Sequence, residues 1–327
     1  MNTERVQGSD LVSRARQLAE ELLFPTALAT DQLDAVPKRH FDRLAEAGLY
    51  GAALEEPQVL FEAIEALAGA CLSTAFVWLQ HLGTSRVLAD NVSWGPRLAT
   101  GEVRGGVAFA HLRRPGPPAI TATQSRDGWT LNGTAPWVTG WRRIDVVHVA
   151  AMRADDPTHI VWLLIDPKES ATLLTRRLSL SAVNASATVE VTFRNHSVGQ
   201  DRYTIAQSLN EWKVRDAAGL RTNGSVAIGH AARSIQLLGT DAGSLPDQLA
   251  ALRNALDSAS TPTEVVMARA AATELAVRSA TALVARDGGS AVLVDRQAQR
   301  LAREATFLAV QGQTPEIRAA QLALLTG

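Results

Sequence analysis

The sequence holds one cysteine, Cys71, in 327 residues. A single thiol excludes an internal disulfide and any thiolate-based metal cluster. Set in Ala68-Gly69-Ala70-Cys71-Leu72, it reads as a small buried hydrophobe rather than a nucleophile. The seven histidines show no metal-ligand spacing and no His-Glu-x-x-His element, so no metal centre is expected. No apolar run is long and uncharged enough to suggest a membrane span. The start, Met1-Asn2-Thr3-Glu4-Arg5, leads into an amphipathic pattern rather than a signal-peptide core, so a cytoplasmic location is expected. An excess of either charge is missing too: 32 Lys plus Arg stand against 33 Asp plus Glu, a net charge of −1. Without a basic field, neither nucleic acid nor an anionic membrane is an expected partner. There is no P-loop, no Gly-x-Gly-x-x-Gly element, no repeat and no low-complexity linker.

What remains is a globular composition, 46% apolar and 20% charged, on a chain long enough for two domains or one large one. The first hundred residues carry helical punctuation. Leu11, Ala15, Leu18, Ala19 and Leu22 recur at three- and four-residue steps, giving one apolar face. Pro37 opens a second helix through Phe41, Leu44 and Ala45, closed by Gly48; a third runs through Leu60, Ile64, Leu67 and Ala68. A fourth begins near Ser73 and is apolar nearly all round over Ala75 to Leu79, which predicts a central, buried helix.

From Gly105 to about Arg202 the pattern changes to short β-rich runs, at Val107–Ala110, Trp129–Leu131, Val146–Val149, Ile160–Ile165 and Thr188–Phe193. Short strands spaced by loops predict a small antiparallel barrel or sandwich. Within this region Asp127 to Trp141 holds three of the seven tryptophans and two turn signals, Asp127-Gly128 and Asn132-Gly133, and reads as strand, turn, strand. From about Ala206 the helical period returns. Ile228, Ala231, Ala232 and Ile235 form a stripe; Thr261-Pro262-Thr263-Glu264 is a capping box ahead of a long Ala-rich helix ending at Gly288-Gly289; Asp295 can cap the next, and Thr314-Pro315-Glu316 starts the last. Few bulky residues in these helices imply close helix–helix approach.

The order of helices, strands and helices resembles the acyl-CoA dehydrogenase family. The residues carrying the match are Leu131-Asn132-Gly133-Thr134-Ala135-Pro136-Trp137-Val138-Thr139-Gly140 with the strand Asp145 to Ala150; Val191-Thr192-Phe193-Arg194-Asn195-His196-Ser197-Val198; and Gln299 to Phe307 with Val310-Gln311-Gly312-Gln313-Thr314. The resemblance implies an α+β multidomain chain: an N-terminal α-helical domain over 1–104, a middle antiparallel β-barrel over 105–203 and a C-terminal four-helix bundle over 204–327. It also implies FAD between barrel and bundle, with Trp137 and Val138 beside the isoalloxazine and Thr139 hydrogen-bonded to its polar edge. Gly288 and Gly289 would correspond to paired glycines that let the backbone approach the cofactor; read without the resemblance they are a helix C-cap. Expected partners are an acyl thioester, CoA- or carrier-bound, or a related small molecule, and further subunits in a homo- or hetero-oligomer.

The departures bear on the reaction. The family's base, a glutamate before a glycine between the last two long helices, removes the α-proton while the β-hydride leaves to the flavin. Here the matching place holds Gln311-Gly312, and a neutral amide cannot accept that proton. The alternative place in relatives, on the first helix of the bundle, matches Gly219 to Gly224 and offers Arg221 but no carboxylate; Asp216 lies one turn earlier. Glu316 and Glu304 are the remaining acids near Gln311 in sequence; the first reads as a helix-end charge and the second as a partner of Arg300. No Arg-x-x-Phe-Gly element for the pyrophosphate is present, and His111-Leu112-Arg113-Arg114 replaces a Thr-Glu pair. The function expected is that of a flavoprotein of this type, either the base-less subunit of a heteromer or one with altered chemistry. The alternatives are an FAD-free binding subunit of the same fold and a flavin-dependent monooxygenase or oxidase.

Overall fold

Apolar residues at helical spacing bury one face of each early helix in the computed structural model, which describes residues 2–114 and 116–327. Helix α1 (Asn2–Leu18) continues into a π-helical turn at Ala19–Leu23 and puts Leu11, Ala15 and Ala19 in the core. A short α2 (Ala27–Asp31) precedes α3 (Lys38–Glu46), which Pro37 caps and which ends near Gly48 at φ 76°. Then come α4 (Pro57–Ala70), α5 (Leu72–Val87) and α6 (Gly95–Thr100). As its sequence predicts, α5 is central: Leu72, Ala75 and Trp78 are almost wholly buried, and the Trp78 indole donates to Leu49 O at 3.1 Å.

The strands are β1 (Gly105–Ala108), β2 (Ile120–Ser125), β3 (Gly128–Val138), β4 (Val146–Arg153), β5 (His159–Ile165), β6 (Leu173–Arg177), β7 (Val189–Gly199) and β8 (Tyr203–Ser208). They form one sheet in the order β6-β7-β3-β2-β4-β5-β8, with β1 also on β4. Two expectations need correction. The sheet is mixed rather than antiparallel, because β1 and β2 lie parallel to β4, and it is not closed into a barrel. The cause is that β5 covers one edge of β4 along Val147–Met152, while β1 and β2 share the other edge end to end. Secondly, Asp127-Gly128 closes the β2–β3 hairpin, but Asn132-Gly133 is no turn. Strand β3 runs through it with a register irregularity against β7. Gly133 (φ 123°) is needed there because a Cβ would run into Ala119 O and lie 2.8 Å from Ile120 Cα.

Helices return as α7 (Leu209–Ala218), α8 (Leu220–Leu238), α9 (Leu245–Ser258), α10 (Pro262–Asp287), α11 (Gln297–Leu308) and α12 (Pro315–Thr326). The capping box at Thr261 and Glu264 forms, and a second forms at Ser208 and Glu211. Asp295 does not cap α11, whose N-cap is Arg296 without a side-chain bond.

One hydrophobic core runs from Leu11 to Leu308 through the helices on both sides of the sheet in sequence, while the sheet keeps its own core around Trp129, Leu131, Val149 and Phe193. The helical halves join where α4 crosses α8. A Cβ on Gly69 would lie 2.6 Å from Gly229 O, and one on Gly229 would lie 2.6 Å from Glu65 Cα, so only glycine permits this spacing. Arg233 closes one side of the crossing, donating to Gly69 O at 3.1 Å and to Glu20, with its guanidinium 4.1 Å from the Phe24 ring centroid.

Among the described residues no helix is long and apolar enough to cross a membrane. We expect Gly229→Ala to lower unfolding free energy by about 3 kcal/mol, the upper end for overpacking, because backbone rather than a flexible side chain must yield. Gly289→Ala, with nothing within 4 Å of the added methyl, should change it by no more than about 0.5 kcal/mol. Urea unfolding of the two variants beside wild type makes the comparison; equal midpoints would contradict it.

Candidate functional site

The exit of β3 carries the first cluster of candidate residues. Between Ala135 and Val138 the β3–β7 register shifts, and this bulge turns Pro136 and Trp137 outward. Trp137 is 42% exposed, whereas Val138, paired with Val189, and Thr139 are buried. Gly140 follows at φ 85°, with Val77 Cγ1 of α5 only 2.8 Å from a Cβ there, so the strand exit is seated on the central helix.

Thr139 is held from behind. Its hydroxyl lies 3.1 Å from that of Thr188, which lies 2.7 Å from that of Ser186. The segment bearing Ser186 is bracketed by Val183 (φ 51°) and Ala187 (φ 50°), both left-handed, a strained state for a β-branched residue. Three backbone bonds fix it: Val36 N to Ala185 O at 2.8 Å, Gly140 N to Ser186 O at 2.9 Å and Trp141 N to Ala187 O at 3.3 Å.

A second cluster lies where α8, α10 and the α11–α12 connection meet, and no hydrogen bond joins it to the β3 exit among the described residues. Gln311 Nε2 donates to Asn223 Oδ1 at 3.1 Å, and Arg269 Nη2 donates to Gln311 O and Oε1 at 3.3 and 3.4 Å. Gly312 (φ 60°) lets the turn close on Asn223. Arg269 is 1% exposed, also donates to Thr273, and pairs with no carboxylate among the described residues; burial brings its pKa down to about 10.

The three acids that the sequence singles out are each engaged. Asp216 forms a two-pronged pair with Arg113 at 2.8 and 2.6 Å, tying the β1–β2 connection to α7. Glu304 accepts from Arg300 through both oxygens at 2.8 Å with both residues buried, and His230 stands 3.8 Å away. Burial pushes the Glu304 carboxyl up, against the pull of Arg300, and holds His230 neutral with a pKa of about 3. Glu316 sits in the first turn of α12, its carboxyl held low by the Thr314 hydroxyl.

Gly288 (φ 61°) and Gly289 end α10, and a Cβ added at either would meet no atom within 4 Å. Arg269 lies 19 residues before Gly288 on that helix, about 28 Å at 1.5 Å per residue. One chain therefore does not bring these glycines together with Gln311. The residues that sequence reasoning missed are Ser186, Thr188, Asn223, Arg269 and Arg113. An arginine inside the Ala-rich stripe of α10 was the one visible signal.

The architecture is that of the acyl-CoA dehydrogenases. No sequence-family profile matches the chain, and no curated protein matches it in sequence. Solved structures do match over the full length. Butyryl-CoA dehydrogenase of Megasphaera elsdenii superposes with a TM-score of 0.79 at 18% identity, covering 100% of this chain and 99% of that one. A glutaryl-CoA dehydrogenase of Mycobacterium smegmatis in complex with FADH2 gives 0.79 at 17%, covering 100% and 97%. Dibenzothiophene monooxygenase of Paenibacillus sp. A11-2 gives 0.77 at 18%, covering 97% of each. The resemblance read from the sequence is thus borne out in the fold.

Trp137 is exposed while Trp78 is not, so their truncations should separate. Trp137→Ala is expected to cost under about 1 kcal/mol of stability. Trp78→Ala should cost about 3–5 kcal/mol, read by denaturant unfolding. A large loss at Trp137 would mark it as core rather than as a surface held for another group.

Proposed function

We propose that the chain is an acyl-CoA dehydrogenase-like flavoprotein that holds FAD against Trp137, Val138 and Thr139 and does not itself remove the α-proton of an acyl thioester. The observation carrying this reading is the amide of Gln311, held between Asn223 and Arg269 while Asp216, Glu304 and Glu316 are each engaged elsewhere. The strand exit fits a flavin ring: a half-exposed indole offers an apolar plane beside a buried hydroxyl set at a fixed position. Bound there, the flavin would supply the hydride acceptor. Trp137 would exclude water from one side of it, and Thr139 would donate to its polar edge.

The same reading divides the chain at 104/105 and 203/204, with α8 to α11 as the four principal helices of the last part. Gly288 and Gly289, open to the outside, then serve a cofactor site completed by a second subunit, and a partner chain is the source of the missing base. A second reading, flavin-dependent oxygenation, is favoured by the full-length match to a monooxygenase. Oxygen consumption with an added flavin reductase separates the two.

The test is the visible spectrum of the purified protein after FAD reconstitution, alone and with a co-expressed partner. Stoichiometric flavin absorbance, weakened by Trp137→Ala, is the expected result. A colourless protein that still binds an acyl thioester would replace the proposal with an FAD-free binding subunit.

Gln311→Glu gives a second test with a defined sign. The new carboxylate would sit beside the buried Arg269 guanidinium, which lowers a carboxyl pKa. With the Asn223 amide turned so that its NH2 group faces the new carboxylate, we expect a stability gain of about 1–3 kcal/mol at neutral pH. A depressed carboxyl stabilises above its unfolded pKa, so the gain should disappear as pH falls through about 4 and below. Dehydrogenation by this variant should rise only weakly, because an acidified carboxylate is a poor base, and more when Arg269 is also changed to Met. Thermal unfolding across pH and thioester turnover read both effects; unchanged stability would mean that Arg269 does not face this side chain.

A further inference from the structure

Thr139, Thr188 and Ser186 form a line of three hydroxyls with two hydrogen bonds between them. Each hydroxyl has one hydrogen, so two hydrogens fill the two bonds and one is left over. If the line ran from Thr139 inward, the spare hydrogen would sit on Ser186, which is wholly buried and has no other side-chain partner. An unpaired donor in such a place is unfavourable by about 1–3 kcal/mol. If Thr188 donated to neither neighbour, its own hydrogen would be the stranded one. Running outward, Ser186 donates to Thr188, Thr188 donates to Thr139, and the spare hydrogen falls on Thr139. Thr139, 4% exposed and two residues from the exposed Trp137, is the one member of the line that a group seated at the strand exit could reach.

We propose that Ser186 is a positioning residue that acts through Thr188 to make Thr139 an outward-facing hydrogen-bond donor. This rests on the reading of the β3 exit as the flavin site. The surroundings support a fixed rather than adaptable line. The carbonyls of Ala185, Ser186 and Ala187 accept from three separate backbone amides, and Ser186 N is bonded to Val183 O at 2.8 Å. That anchoring holds Val183 and Ala187 in left-handed conformations, each unfavourable by roughly 1–3 kcal/mol. A segment held against such strain keeps the Ser186 hydroxyl at one place, and so the direction of the line. A donor aimed at a carbonyl oxygen of the flavin's polar edge, which stays an acceptor and gains negative charge on reduction, would favour the reduced, more electron-rich cofactor over the oxidised one.

The experiment measures the midpoint potential of FAD in the reconstituted full-length protein for wild type, Ser186→Ala, Thr188→Val and Thr188→Ser. Thermal unfolding of each variant reports folding separately. Ser186→Ala and Thr188→Val should each lower the preference for reduced over oxidised FAD by up to about tenfold, close to 30 mV for a two-electron couple. Thr188→Ser keeps the hydroxyl and should retain the wild-type potential. If Ser186→Ala does not fold, the Thr188 pair carries the comparison. Stoichiometric FAD with an unchanged potential in Thr188→Val and in any folded Ser186→Ala would overturn the inference and leave the flavin reading standing. An equal shift in Thr188→Ser would also overturn it, since packing rather than the hydroxyl would then be the cause. Failure of the wild type to take up FAD would overturn the flavin reading and this inference together.

Discussion

The contact between α4 and α8 is the constraint on which the other helical positions depend. Two glycines, Gly69 and Gly229, let backbone meet backbone, and around them one apolar core extends from the first helix to the eleventh. Because α8 is fixed against α4, its first turn, with Asn223, and its middle, with His230, take defined places relative to α5 and α11. Phe76 of α5 then meets Phe307 of α11 edge to face at 4.9 Å. The charged residues at the crossing are consequences of this spacing. Arg233, Arg253 and Arg16 pair with Glu20, Glu65 and Glu62 around a cleft of about 500 Å³ that the crossing leaves open.

Among the contacts that attach the sheet to this frame, three show how particular residues hold it. Gly140 turns β3 onto Val77 of α5. His81 of α5 accepts from Gly105 N at 3.0 Å, and burial keeps it neutral with a pKa of about 4, so the acceptor nitrogen is retained at physiological pH. Arg113 and Asp216 close the other side, with the Arg113 guanidinium 5.2 Å from the Phe109 ring centroid, beside Trp162 and Trp212. A pair as shielded as this, 16% and 13% exposed, resists screening better than the surface pairs on α1 and α3.

Local signals were legible in the sequence, and long-range ones were not. The caps at Thr261 and Thr314, the Pro37 start, the stripe on α8 and the all-apolar α5 each follow from chemistry within a few positions and appear in the structure, whereas the cap expected from Asp295 does not. Strands β2, β6 and β8 escaped because their residues, such as Ile120-Thr121-Ala122-Thr123, alternate weakly and carry polar side chains. Asn132-Gly133 misled for a related reason: the glycine answers a neighbouring carbonyl from Ala119, which local sequence does not reveal. Parallel pairing on β4 depends on which strands share one edge, again a nonlocal matter. Of the candidate residues, Trp137, Thr139 and Gln311 were named through family register, whereas the contacts of Ser186, Thr188, Asn223 and Arg269 needed coordinates.

Gln311 gains a structural meaning from those contacts. An amide can donate to Asn223 Oδ1 and accept from Arg269 at the same time, whereas an ionised carboxylate can only accept. Glutamine thus satisfies two neighbours of opposite demand with no charge of its own. The Gln311 carbonyl and the Thr273 hydroxyl supply acceptors to the buried guanidinium where no carboxylate pairs with it among the described residues. The neutral side chain at this position is therefore matched by residues on two other elements. Asn223, Arg269 and Gln311 are thus mutually matched around a neutral side chain, with one neighbour that accepts and one that donates.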